Sequence, residues 1–108
     1  GWPVVLVFGA SEDKDISGMF AELMPRIRQV VATRSFHPRA VDPQDLIKLA
    51  HQYGRPAKLA ETVEEALDEA ILLAGNEAMI LAAGSIFVAA ATRECWYKRK
   101  QEPMGNNS

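Results

Sequence analysis

Three short polar stretches carry the residues of this 108-residue chain best suited to hold an anion. Phe8-Gly9-Ala10-Ser11-Glu12-Asp13-Lys14-Asp15 places a lysine between two aspartates. Thr33-Arg34-Ser35-Phe36-His37-Pro38-Arg39-Ala40 places an arginine behind a proline, with a serine and a histidine close by. Ala83-Gly84-Ser85 places a hydroxyl after a glycine. A guanidinium fork grips a carboxylate through two parallel hydrogen bonds. An ammonium is a compact point charge that suits phosphate or carboxylate. A serine that opens a helix adds its hydroxyl to the exposed N–H groups of the first turn. The candidate ligands for a carboxylate or a phosphate are therefore Lys14, Arg39 and Ser85. Asp13, Ser35, His37 and Gly84 are supporting candidates: Asp13 to orient Lys14 or its loop, Gly84 to allow close backbone approach.

Each candidate has a plainer reading. Asp13-Lys14-Asp15 also reads as a self-neutralised surface triplet. Arg39 also reads as a solvated side chain paired with Asp42, Ser85 as a simple helix cap, and His37 as a loop-packing residue. His51 stands alone within a helical pattern, so no metal site is expected. Cys95 has no histidine near it in sequence and gives no case for a nucleophile. No catalytic residue is expected within these residues.

The stretches lie where strands should end and helices begin. Val4-Val5-Leu6-Val7, Val30-Val31-Ala32 and Met79-Ile80-Leu81-Ala82 are short apolar runs of the kind buried strands show. Strands are expected at Val4–Phe8, Gln29–Thr33, Ala57–Ala60 and Ala78–Ala82. A first helix capped by Asp15 places Ile16, Met19, Phe20, Leu23 and Ile27 on one face, with Pro25 ending or kinking it near Met24. Asp42-Pro43 opens a second helix, whose core face is Leu46, Ile47, Leu49, Ala50 and Tyr53, and Gly54 closes it. Thr62 and Glu65 form a capping box for a third helix, which buries Val63, Ala66, Leu67, Ala70, Ile71 and Ala74. Ser85 caps a fourth, with Ile86, Phe87, Ala90 and Trp96. Strand and helix alternate throughout. The expected fold class is α/β: a three-layer, Rossmann-like domain with a mainly parallel sheet of about four strands, right-handed crossovers and helices on both faces. Loops at the carboxyl ends of such strands are where ligands bind.

The composition, 48% apolar and 24% charged, is that of a globular domain. A net charge of −2 gives no global pull toward nucleic acid or a membrane surface. No apolar stretch is long enough to span a bilayer. The single cysteine cannot close an internal disulfide, which weighs toward a reducing compartment. Residues 1–96 read as one domain truncated at its N-terminal side, and 97–108 as a polar tail expected to be partly disordered. Gly1-Trp2-Pro3 runs straight into a strand without an initiator methionine, which reads as a piece of a longer chain or as a processed N-terminus.

Phe8-Gly9, followed at fixed spacing by Asp13-Lys14-Asp15-Ile16 and Met19, resembles a stretch of the folylpolyglutamate synthase / dihydrofolate synthase family, part of the Mur ligase superfamily. Thr33 to Ala40 resembles that family's threonine-x-x-x-x-proline-arginine-alanine segment. It is also similar to the aspartate-asparagine-proline-arginine loop of the Mur branch. Gly84-Ser85-Ile86-Phe87 with Arg93 is similar to a glycine-serine-leucine-tyrosine pattern ending in arginine. The resemblance runs in order over residues 4–94. Two positions depart from it: Ala90 and Ala91 replace a glycine-glutamate pair, and His37 stands where the Mur branch has asparagine. A Gly-x-x-x-x-Gly-Lys-Ser/Thr phosphate loop is absent. So is the aspartate-glycine-alanine-histidine-asparagine-proline segment that precedes the first of these strands in the family.

The resemblance implies the C-terminal glutamate ligase domain of an ATP-dependent enzyme. Such an enzyme activates a folate or pteroate carboxylate as an acyl phosphate, which the amine of L-glutamate then attacks. It implies that ATP and magnesium are held mainly by an N-terminal ATPase domain of the same chain. The domain read here helps bind amino acid and nucleotide, and closes the site against water. The expected partners are L-glutamate, a folate-type substrate and that ATPase domain, with no nucleic acid and no membrane, in the cytoplasm. These 108 residues alone are expected to be inactive. Two other classes stay open: a stand-alone small-anion-binding module of flavodoxin-like shape, and a structural interaction domain with exposed apolar surface.

Overall fold

The apolar runs form four strands in the computed structural model, which describes residues 3–84: β1 (Val4–Gly9), β2 (Ile27–Ala32), β3 (Ala57–Leu59) and β4 (Met79–Gly84). They make one sheet in the order β3-β2-β1-β4, and every pairing is parallel. Central β1 pairs on both edges, Val7 opposite both Val31 and Ala82, and ends with Gly9 opposite Gly84. A strand enclosed on both faces needs apolar side chains on both, which explains its unbroken Val-Val-Leu-Val-Phe run.

Three helices cover the sheet: α1 (Ile16–Leu23), α2 (Pro43–Gln52) and α3 (Val63–Ala74). Leu6 and Phe8 of β1 pack with Phe20 of α1 and with Leu46 and Ala50 of α2. The alternate residues Val5 and Val7 pack with Ala66, Ala70 and Ala74 of α3. The alternation of a strand thus splits the core into two layers, α1 and α2 on one face and α3 on the other. Phe8 and Phe20 meet edge to face, with ring centroids 4.8 Å apart. The chain steps outward from β1 to β2 and β3, and α3 then carries it back to β4 on the other side of β1. Between β1 and β4 the strand order reverses, and such a reversal opens a crevice at the carboxyl ends of the strands.

The caps expected for the first three helices are formed. Asp15 accepts from the N–H of Gly18, Asp42 from that of Gln44, and Thr62 from that of Glu65. Gly54 closes α2 with a φ of +73°, a conformation that side chains resist. Some boundaries differ from expectation. Ile27, expected on the face of the first helix, is the first residue of β2. The chain passes from α1 into a 3₁₀ turn at Met24–Arg26, with Pro25 inside it, and Ile27 is already extended. The second strand therefore starts two residues early and stops before Thr33, the third stops before Ala60, and the fourth reaches Gly84. Ile71 is half-buried rather than buried. On β4, Met79 and Leu81 are 57% and 40% exposed on the face shared with Leu6. The fourth helix, Ser85, Arg93, Cys95 and the tail lie outside the described residues. No helix among the described residues is long and apolar enough to cross a membrane.

Candidate functional site

Beyond the carboxyl ends of β1 and β2, two loops run side by side and are laced together through their backbones. Thr33, fully buried, donates its N–H to the carbonyl of Phe8 at 2.9 Å, fixing where the second loop starts. Further out, Ser11 and Ala40 form an antiparallel bridge. It is flanked by Val41 N–H to Ala10 O at 2.8 Å and Glu12 N–H to Arg39 O at 2.9 Å. The second loop is also tied to itself. The N–H of His37 donates to Ser35 Oγ at 3.0 Å, that of Ala40 to the carbonyl of His37 at 3.1 Å, and that of Arg39 to His37 Nδ1 at 3.0 Å.

This lacing presents Arg39 to solvent. Its side chain is 74% exposed, and one guanidinium nitrogen lies 3.3 Å from Glu12 Oε1. The partner is therefore Glu12, 27 residues away, and not Asp42, whose carboxylate caps α2. Asp13 and Asp15 make no ion pair with Lys14. Asp15 caps α1, and Asp13 accepts from the Ser11 hydroxyl. Among the described residues no carboxylate lies within ion-pair distance of the Lys14 ammonium.

Asp13 keeps the first loop in shape. The Ser11 hydroxyl that donates to it holds its carboxyl below the usual carboxylate range, helped by a backbone N–H and by the charge of Lys14, against some desolvation. Ser11 is 2% exposed, and its carbonyl accepts from the N–H of Lys14 at 3.1 Å. Ser35, 4% exposed, anchors the backbone of His37 from beneath. Both serines thus build the loops rather than face solvent. Gly84 has a structural reason to be glycine. Its φ is +113°, and a Cβ there would fall 1.9 Å from the carbonyl oxygen of Gly9. Close approach is required, and the approaching backbone is that of β1.

Lys14, Asp13, Ser35, His37 and Arg39 are therefore gathered at one end of the sheet, and Gly84 ends the neighbouring strand. Sequence reasoning missed Glu12 and Ser11, which the inter-loop bridge brings into play. Among the described residues no group of three His, Cys, Asp or Glu is placed to hold a metal ion.

Residues 2–86 match the family model described as Mur ligase, glutamate ligase domain. Over 92 residues the chain is 34% identical to a probable bifunctional folylpolyglutamate synthase/dihydropteroate synthase of Haloferax volcanii, covering 84% of this chain and 11% of that protein. Among solved structures it is similar to E. coli FolC in complex with DHPP and ADP, at 27% identity and a TM-score of 0.78 over 94% of this chain and 23% of that one. It is likewise similar to Mycobacterium tuberculosis folylpolyglutamate synthase complexed with ADP, at 28% identity and a TM-score of 0.72 over 85% of this chain and 23% of that one. The chain spans about a tenth of the archaeal relative and about a quarter of each bacterial enzyme. A parallel α/β sheet, two laced loops beyond its strand ends and a family match over residues 2–86 lead to one conclusion: the chain belongs to the Mur ligase family, as its C-terminal glutamate ligase domain.

Proposed function

We propose that this domain works within a longer ATP-dependent ligase that joins L-glutamate to a folate-type carboxylate, and that Arg39 receives a carboxylate of the incoming glutamate. The observation that carries this reading is an exposed guanidinium on a backbone tied at both its N–H and its carbonyl, at the carboxyl end of a parallel sheet. An exposed ion pair such as Arg39–Glu12 contributes little. Glu12 therefore serves as a placeholder that a substrate carboxylate displaces, and the bidentate bond gains strength as closure excludes water. Lys14 stands by as a second cation for the amino-acid carboxylate or for the nucleotide. Ser85, outside the described residues, is proposed as a third ligand.

Two solved relatives carry ADP, and another, a bifunctional folylpolyglutamate synthase/dihydrofolate synthase of Yersinia pestis, carries AMPPNP and a manganese ion. This chain has no phosphate loop, and its described residues offer no metal cradle. In the proposed enzyme, ATP and magnesium are bound mainly by the rest of the longer chain. The part played here is to bind and orient the amine donor and to cover the acyl phosphate.

The test is phosphate release from ATP in the presence of a reduced folate and L-glutamate, measured for the complete ligase and for the 108-residue chain alone. The complete ligase should release phosphate and form the glutamyl product, while the 108 residues alone do neither. Turnover by the 108 residues alone would contradict the proposal, as would a complete chain that binds an anionic metabolite but ligates nothing.

A further inference from the structure

We infer that His37 is a positioning residue for Arg39, acting through a neutral imidazole whose Nδ1 holds the turn that presents the guanidinium. This rests on the reading of Arg39 as the carboxylate ligand. The N–H of Arg39 donates to His37 Nδ1 at 3.0 Å. A ring nitrogen that accepts a hydrogen bond carries no proton, so the neutral ring bears its hydrogen on Nε2. A side-chain acceptor that bonds the N–H two residues on is the pattern of an Asx turn, normally closed by an Asn or Asp oxygen. His37 places a ring nitrogen where those residues place an oxygen, since both atoms are bonded to Cγ.

The surroundings make this bond matter. The backbone of His37 is held by the buried Ser35 hydroxyl, and its carbonyl accepts from Ala40. The carbonyl of Arg39 is taken by Glu12 N–H at 2.9 Å. The N–H of Arg39 is thus the remaining backbone handle on the arginine, and His37 takes it. Protonation would put hydrogen on Nδ1 and set one donor against another. Loss of this acceptor should therefore weaken capture of the amino acid, with the chemical step little changed.

The test uses the complete ligase with three variants. His37→Asn keeps an acceptor bonded to Cγ. Its KM for L-glutamate should stay within about twofold of the parent. His37→Phe removes the acceptor and should raise that KM about fivefold with kcat nearly unchanged. Arg39→Ala is the control for the underlying reading. If Arg39→Ala raises KM and His37→Phe does not, the positioning role is overturned. If Arg39→Ala leaves KM unchanged, the carboxylate reading fails. The ring itself then decides the turn, through the ¹⁵N spectrum of His37 in the full-length protein at pH 8. A proton on Nε2 with Nδ1 bare is expected, and a proton on Nδ1 overturns the proposal whatever the kinetics.

Discussion

Arg39 meets solvent through its side chain, yet both its backbone N–H and its carbonyl are hydrogen-bonded. That combination orders the base of the side chain and leaves its charged end available, which lowers the entropy lost when a ligand binds. Asp13 serves the same end on the facing loop. The Ser11 hydroxyl stabilises its ionised form, so its carboxyl titrates below the usual range. The contribution of this bond to loop order is complete above the ordinary carboxylate range and fades as pH falls through the lowered folded value. Ser11→Ala should therefore move the Asp13 titration up toward the ordinary range, read by carboxyl ¹³C NMR. A titration that stays depressed in the variant would show that Ser11 is not the cause.

At the scale of elements, the paired glycines at the ends of β1 and β4 set how closely the two strands meet at the reversal of strand order. Gly84→Ala would drive a Cβ against the Gly9 carbonyl at a φ of +113°. Backbone strain of about 1–3 kcal/mol adds to an overpacking cost of about 1–3 kcal/mol. The expected loss is at least about 2 kcal/mol, read as a lowered Tm in thermal unfolding of the full-length protein. An unchanged Tm would mean that β4 does not meet β1 as described. What could be read in advance follows the range of the interactions. Asp15, Asp42 and Thr62 were legible as caps because a cap acts on an N–H two or three residues away. Ile27 was not, because its spacing continues the helical face across Pro25 while its backbone is already extended. Nor was the Gly9–Gly84 contact, which depends on a strand order that alternation alone leaves open. Arg55 is a similar case: its guanidinium gathers the carbonyls of Met24, Ile27 and Tyr53, tying the start of β2 to the end of α2.

At the scale of the molecule, the strand–helix alternation made the layered sheet legible, and the site only in part. Lys14, His37 and Arg39 could be placed at strand ends. The partner of Arg39 could not, because Glu12 reaches it through a bridge between loops 27 residues apart. Arg39 faces solvent, as it must if a second domain is to close over it with substrate between them. The share of the bacterial enzymes that this chain spans, about a quarter, leaves room for that domain. The exposed Met79 and Leu81 of β4 leave apolar surface on the side of the sheet that α1 and α2 otherwise cover.

The most direct measurement is the steady-state kinetics of the complete ligase carrying Arg39→Ala, with L-glutamate as the varied substrate. Loss of a charge-assisted carboxylate bond corresponds to about 1.5–3 kcal/mol. The KM for glutamate should therefore rise about ten- to a hundredfold, with the KM for ATP and the melting temperature little changed. A glutamate KM and kcat equal to those of the parent enzyme would contradict the central claim that Arg39 receives the amino-acid carboxylate.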